Sequence, residues 1–488
     1  MYEELEIREA LPEAASMIET FRAIGYSLET AVADIVDNSI TAGSNRIYIN
    51  RIWAGGNSVI TIKDNGCGMT DDELIQALRP GAQNPLIHRD ENDLGRFGLG
   101  LKTASFSQCR KLTVITKKNG ETSYWTWDLD FIAECKKWNL IKWMPKEFEH
   151  SLDEVDSGTI VIWSNLDRIV ASDISKDNLN AKEKFSNSLQ KVRDHLSMTF
   201  HRFIEDRQIS IIWGCHEINP WNPFFPLEPK CQTFPIEYLH GNVTMRGYVL
   251  PHRINFSTDK VYNSAKGLKG WNGQQGFYVY RGKRLLLSGS WLGIFHKEEA
   301  YKLARIMIDI PNSQDAEWQI DIKKSKAQPP INIREQIEQY AKSVRNAAEE
   351  VFRHRGKILR QRSGQEFHPL WLEKMKDGKW SYIVNRKNPT IATIKQIALH
   401  NPDIAIETLL KLIESNVPTK TIFINESKDE DSTEPLTSLD NDEVKTLIKA
   451  LYESFVAQGR SSSQAKEAVK RVEPFNFFED IIDNINDL

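Results

Sequence analysis

From Ser27 to Ala42 the chain has a helical pattern whose second half, Ala33-Asp34-Ile35-Val36-Asp37-Asn38-Ser39, places two acids and an amide within about one turn. Asp34 and Asn38 are i and i+4 and project from the same face, while Ala31 and Ile35 can cover the packed side. Ser27 suits an N-cap and Gly43 marks the end. An amide oxygen can ligate a hard cation such as Mg²⁺, and a carboxylate one turn away can orient a water. Seen alone, the pattern more often means an amphipathic helix with a solvated acidic face. The residues after Gly43 narrow the choice.

Arg46 to Asn50 and Val59 to Lys63 alternate and are rich in β-branched residues, so they read as strands joined through Gly55-Gly56-Asn57. The second strand delivers Asp64-Asn65-Gly66-Cys67-Gly68-Met69, an acid in a sharp glycine turn. Glycine belongs where backbone approaches a ligand closely or takes positive φ. A carboxylate held there can accept a hydrogen bond from the exocyclic amine of adenine. On its own this is also a common surface turn.

A short helix over Asp71 to Leu78 then leads into residues 79–94, whose composition suits a mobile lid. Gly95-Arg96-Phe97-Gly98-Leu99-Gly100-Leu101-Lys102-Thr103-Ala104-Ser105 gives way to a helix with a lysine in its first turn. Free N–H groups at a helix start beside an ammonium form a phosphate cradle. Strands over Lys111 to Lys117, Thr122 to Leu129 and Ser157 to Trp163 follow, with Thr159 beside Asp64. This order of helices and strands predicts an α/β sandwich with helices on one sheet face.

A chain of 488 residues exceeds what one core usually serves, so two or three domains are expected. The net charge of −4 decides nothing about nucleic acid, which leaves only local patches to argue from. Five cysteines, at 67, 109, 135, 215 and 231, form no Cys-x-x-Cys pair and have no histidine companions at metal spacing. They indicate neither a zinc site nor a disulfide framework, and suggest a reducing compartment. The acidic N-terminus lacks a signal pattern, and no apolar run approaches the roughly 18 residues of a membrane span. A cytoplasmic protein is expected.

In this order and spacing, the four motifs resemble the GHKL superfamily of ATPases, which includes gyrase B, Hsp90, MutL and histidine kinases. The form Gly-Arg-Phe-Gly-Leu-Gly-Leu-Lys is most similar to the MORC and Hsp90 branches, and the resemblance covers roughly residues 15–165. It implies a Bergerat-type α/β sandwich over 1–168 with an N-terminal strap, binding ATP and Mg²⁺. Asn38 would ligate Mg²⁺, Asp64 would bind adenine, and Gly66, Gly68 and Met69 would line the base pocket. Thr159 would support Asp64 through a water. Gly95, Phe97, Gly98, Leu99, Gly100, Leu101, Lys102 and Thr103 would hold the phosphates. The family's general base is usually a glutamate where this chain has Asp34, one methylene shorter. A general base contributes about 10²–10⁴ in rate, so slow hydrolysis is expected.

By the same resemblance, 169–332 is an S5-like α/β transducer, with a long helix over Asp177 to Phe203 and strands over Gln208 to Trp213, Asn242 to Leu250, Gly276 to Tyr280 and Ala304 to Ile310. Lys323 or Lys324 would reach the γ-phosphate from it. The segment Gly276 to Arg284 reads as a hairpin with a charged tip. Residues 333–364 form a basic connecting helix, and Arg353 to Arg362 is a local cationic patch that could contact DNA, as readily as it could be a solvated helix. Residues 365–488 are a small, mainly α-helical interaction region for partner proteins, whose last segment could dock on a partner or pack on its own domain, with packing the preferred reading.

The function implied is a MORC-like, ATP-gated dimeric clamp, acting on DNA and by family inference in restriction or anti-phage defence, with no membrane. The alternatives are a nucleotide-gated scaffold or Hsp90-like chaperone with negligible hydrolysis, and a histidine kinase. Against the last, only some thirty residues precede the Asn38 helix, too few for a phosphoacceptor hairpin.

Overall fold

The computed structural model describes residues 12–81, 100–314, 317–319, 327–353, 368–376, 379–419, 421–422, 441–472, 475 and 478–484. The chain divides into two compact units, Met1–Glu350 and Val351–Leu488.

Unit 1 begins with α1 (Ala14–Ala23) and α2 (Leu28–Thr41), where Ser27 caps α2 by accepting the Thr30 N–H. Residues 14–23, expected as part of a polar strap, are helical because Ala14, Ile18 and Phe21 recur at helical spacing and bury together. Strands β1 (Arg46–Ile52) and β2 (Val59–Asp64) follow, then α3 (Asp71–Leu78), opened by a Thr70–Glu73 capping box. Next come α4 (Gly100–Phe106), β3 (Lys111–Lys118), β4 (Glu121–Asp128), α5 (Leu129–Cys135) and β5 (Gly158–Ser164).

The expected single helix over Asp177–Phe203 is two, α6 (Leu179–Thr199) and α7 (His201–Glu205), divided where Phe200 leaves helical geometry at φ −107° and ψ 13°. Strands β6 (Ser210–Trp213) and β7 (His216–Glu217) then join the first sheet, whose order is β4-β3-β5-β2-β1-β6-β7. β6 pairs parallel to β1, with Ile47 opposite Ile211, so this sheet crosses the boundary expected at residue 168. One face buries Ile35 and Val36 of α2 with Ile47, Ile49 and Trp163. The other covers Ile115, Ile160 and Ile162 with Leu152, Met144 and Phe148.

A second sheet contains β8 (Gln232–Leu239), β9 (Val243–Val249), β10 (Gly276–Arg281), β11 (Arg284–Ser290) and β12 (Ala304–Ile310), in the order β11-β10-β12-β9-β8. The short helices α8 (Asp259–Ala265) and α9 (Gly270–Gly273) lie between β9 and β10 in the chain. Helix α10 (Ile331–Arg353) buries Ile333, Ile337, Ala341, Val344 and Ala348 at heptad-like spacing. It seats on β9, where the Tyr340 hydroxyl accepts the Gly247 N–H at 2.7 Å and donates to the Pro235 carbonyl at 2.8 Å.

In unit 2, β13 (Trp371–Lys376) and β14 (Lys379–Val384) form an antiparallel hairpin. Then come α11 (Pro389–Ala398), α12 (Pro402–Ser415), α13 (Asn441–Ala457), α14 (Ser462–Val469) and α15 (Glu479–Asp483). As expected, the last segment packs on its own unit: Ile482 is buried with Val444, Ile448 and Val469. Residues 354–362, most of the basic patch, lie outside the described residues. No described helix is long and apolar enough to cross a membrane.

Candidate nucleotide site

Helix α2 presents its end to the β2 turn, and the two expected residues of its face part company. Asn38 is exposed, while Asp34 is 4% exposed. The Tyr26 hydroxyl, from the loop before α2, donates to Asp34 Oδ2 at 3.0 Å, and Tyr26 also bonds Thr103 of α4. Burial and the Asp34 charge push the Tyr26 phenol far above its ordinary range, so it stays a donor. The start of α4 comes close: a Cβ on Gly100 would lie 3.7 Å from Asp34 Oδ2.

Asp64 ends β2 at 6% exposure. The Ser39 hydroxyl donates to its Oδ2 and the Gly66 N–H to its Oδ1, each at 2.9 Å. Burial raises the Asp64 pKa against the opposing pull of the Gly66, Ser39 and Thr159 hydrogen bonds. Opposite Asp64 in the sheet register stands Thr159, whose hydroxyl pairs with that of Thr116 at 3.1 Å. The Thr116 hydroxyl also accepts the Met69 N–H at 2.9 Å, tying the glycine turn to β3. Gly68 has φ +63°, and a Cβ there would fall 1.9 Å from the Lys117 carbonyl oxygen. No other residue type fits that turn unmoved.

Lys102 is buried, and its ammonium donates to the carbonyls of Ala77 at 2.9 Å and Arg79 at 3.1 Å, at the end of α3. Burial pushes its pKa down to about 8. Leu101 is half-buried and Thr103 fully buried on the same helix. Gly95, Phe97, Gly98, Leu99, Lys323 and Lys324 lie outside the described residues.

The structure adds groups the sequence reading did not place. Ser39 and Tyr26 fix the two carboxylates, and Arg284 enters from the second sheet. Its Nε donates to Asp37 Oδ1 and Oδ2 at 2.9 and 2.8 Å, and its Nη2 lies 3.4 Å from Asp34 Oδ1. Expected at a charged hairpin tip, Arg284 is instead 4% exposed. Burial works against its charge, and the Asp37 and Asp34 carboxylates outweigh that, holding the proton more tightly than usual.

A buried acid oriented by two donors, an exposed amide on the helix beside it and a glycine turn closed to any Cβ thus meet where α2 faces the end of β2. Residues 26–159 match the family described as histidine kinase-, DNA gyrase B-, and HSP90-like ATPase. This segment belongs to the GHKL superfamily. Members of that superfamily are ATPases. The GHKL segment runs from Tyr26 to Thr159 and so includes Asp34, Asn38, Asp64 and Lys102, whereas Arg284 lies beyond it.

Similar proteins include the DNA mismatch repair protein MutL of Erwinia tasmaniensis, 37% identical over 100 residues, which are 20% of this chain and 16% of that protein. The ATPase morc-1 of Caenorhabditis elegans is 30% identical over 91 residues, 19% of this chain and 10% of its own length. The chaperone protein HtpG of Rickettsia canadensis is 25% identical over 213 residues, 42% of this chain and 30% of its own. The aligned stretches thus span less than a third of each of these three relatives.

Proposed function

We propose that the chain binds ATP with Mg²⁺ at the Asn38–Asp64 site, hydrolyses it slowly, and uses the cycle as an ATP-gated dimeric clamp on DNA. The observation that carries the ATP reading is Asp64. Both of its oxygens are oriented by Ser39 and Gly66, leaving lone pairs for the amine of adenine beside a turn that only glycine allows. Asn38, exposed on the neighbouring face, supplies an amide oxygen of the kind Mg²⁺ accepts together with substrate phosphates. Mg²⁺ there would neutralise phosphate charge.

Asp34 is the group that would take a proton from the attacking water. Tyr26 on one oxygen and Arg284 on the other hold it in place. Lys102, in the first turn of α4, follows the last glycine of the cluster by two residues and would leave the α3 carbonyls for the phosphates. Lys323 or Lys324 would reach the γ-phosphate from the second-sheet region. Because aspartate is shorter than glutamate, turnover is slow.

Support for DNA comes from the basic run Arg353 to Arg362 and from the name of the mismatch-repair relative; a place in anti-phage defence rests on family resemblance. The test is ATP turnover with and without DNA, in the native protein and in Asp34→Asn. Asp34→Asn should keep ATP binding and lose turnover, and DNA should stimulate the native enzyme. Unchanged turnover in Asp34→Asn removes Asp34 from the role of base. The 213-residue alignment with HtpG favours a second reading, a chaperone-like scaffold switched by nucleotide. ATP-dependent dimerisation with turnover indifferent to DNA would select it.

A further inference from the structure

We infer that Arg284 is the positioning residue for Asp34, so that the second sheet governs the activity of a site built on the first; this rests on the ATPase reading above. Arg284 opens β11 directly after Gly282 and Lys283, both at positive φ, 53° and 67°. Two such residues in succession make the tight type I′ hairpin, whose twist matches its strands. The guanidinium is therefore carried by a short, rigid connection. Lys283 anchors the turn to Asp206 at 2.7 Å, and the Phe200 ring lies 5.9 Å from the guanidinium carbon.

Asp34 and Asp37 are i and i+3 on one helix, so their charges would repel if left alone in a buried place. The guanidinium bridges them, its Nε on Asp37 and its Nη2 facing Asp34, and offsets that repulsion. Its fork also leaves Asp34 little rotational freedom, since Arg284 faces Oδ1 while Tyr26 holds Oδ2. Tyr26 comes from the loop before α2, but Arg284 comes from the second sheet. A shift of β11 relative to α2 therefore moves the base itself. Displacements near 1 Å at a catalytic group can cost about 10²-fold in rate, and a short aspartate has little reach with which to compensate.

The test compares kcat and KM for ATP in the full chain, in Asp37→Asn as the control, and in two Arg284 variants, Arg284→Lys and the double Asp37→Asn/Arg284→Met, which removes both partners of the closest pair. The double variant should lose at least tenfold in kcat while KM stays within about threefold. Arg284→Lys should fall between, since an ammonium keeps the charge and loses the fork. Added guanidinium ion should restore part of the double variant's kcat, which a folding defect would not allow. A folded double variant with kcat within twofold of native overturns the inference, as does Asp37→Asn alone accounting for the whole loss. Failure of both variants to fold assigns Arg284 to the fold and overturns it equally. No turnover in the native chain defeats the ATPase reading itself, and this inference with it.

Discussion

Gly68 and Gly43 separate backbone strain from the shape of the site. Both have positive φ, +63° and +75°, so alanine at either must enter the left-handed region, at roughly 1–2 kcal/mol. At Gly43 a Cβ meets nothing within 4 Å. At Gly68 it meets the Lys117 carbonyl oxygen at 1.9 Å, about 1.5 Å short of the 3.4 Å at which ordinary contact begins. That carbonyl cannot retreat freely, because Lys117 is paired with Gly158 in the β3–β5 ladder. The turn must move instead, and the Met69 N–H then leaves Thr116, losing a further 0.5–1.5 kcal/mol or so. Gly68→Ala should therefore cost about 1.5–3.5 kcal/mol against about 1–2 for Gly43→Ala. Since the turn carries the base pocket, Gly68→Ala should also weaken ATP binding at least tenfold, while Gly43→Ala leaves it unchanged. Urea denaturation and titration with a fluorescent ATP analogue measure the two effects. Equal losses of stability, or native affinity in Gly68→Ala, would refute the reasoning.

The lowered pKa of Lys102 gives two pH trends of opposite sign. The folded chain carries that ammonium below about pH 8, so ATP affinity should fall as pH rises from 7 to 9, and Lys102→Met should flatten the curve in the same titration. The unfolded chain holds the proton up to its ordinary 10.5 and binds more protons between the two values, so this lysine makes stability rise with pH in that window; denaturation at pH 8 and 10 checks the sign against Lys102→Met. Ser39→Ala removes a hydroxyl donor from the buried Asp64 and should cost about 1.5–3 kcal/mol, with weaker ATP binding by calorimetry. Arg22 is buried, pairs with Asp167 at 2.5 Å and donates to the carbonyls of Phe106 and Cys109. Arg22→Met, which leaves the two buried carbonyls without their donor, should destabilise by about 1–3 kcal/mol for each of them in a thermal melt.

Much of the first sheet was legible because its signals are local. β-branched alternation marked β1 and β2, the Ser27 cap and Gly43 bounded α2, and the Asp64 turn carried its own glycines. Sheet membership was less legible. β6 looks in sequence like any short strand after a long helix, and only its parallel pairing with β1 shows that it extends the first sheet. The break at Phe200 was hidden because neither glycine nor proline marks it.

The partners of the site were the hardest to read, for a physical reason. Ser39 hid because a serine beside Asn38 looks like a solvated helix position, yet its hydroxyl is what orients Asp64. Arg284 hid because it is 250 residues from Asp34 in the chain, and a basic residue after a tight turn reads as a solvated tip. The two aspartates of α2 were the available signal. A helix with one packed face cannot bury acids at both i and i+3 without a cation, and α2 has none within it. The missing charge had to come from elsewhere in the fold. Local pattern could state that debt of charge; only tertiary structure supplies Arg284 to meet it.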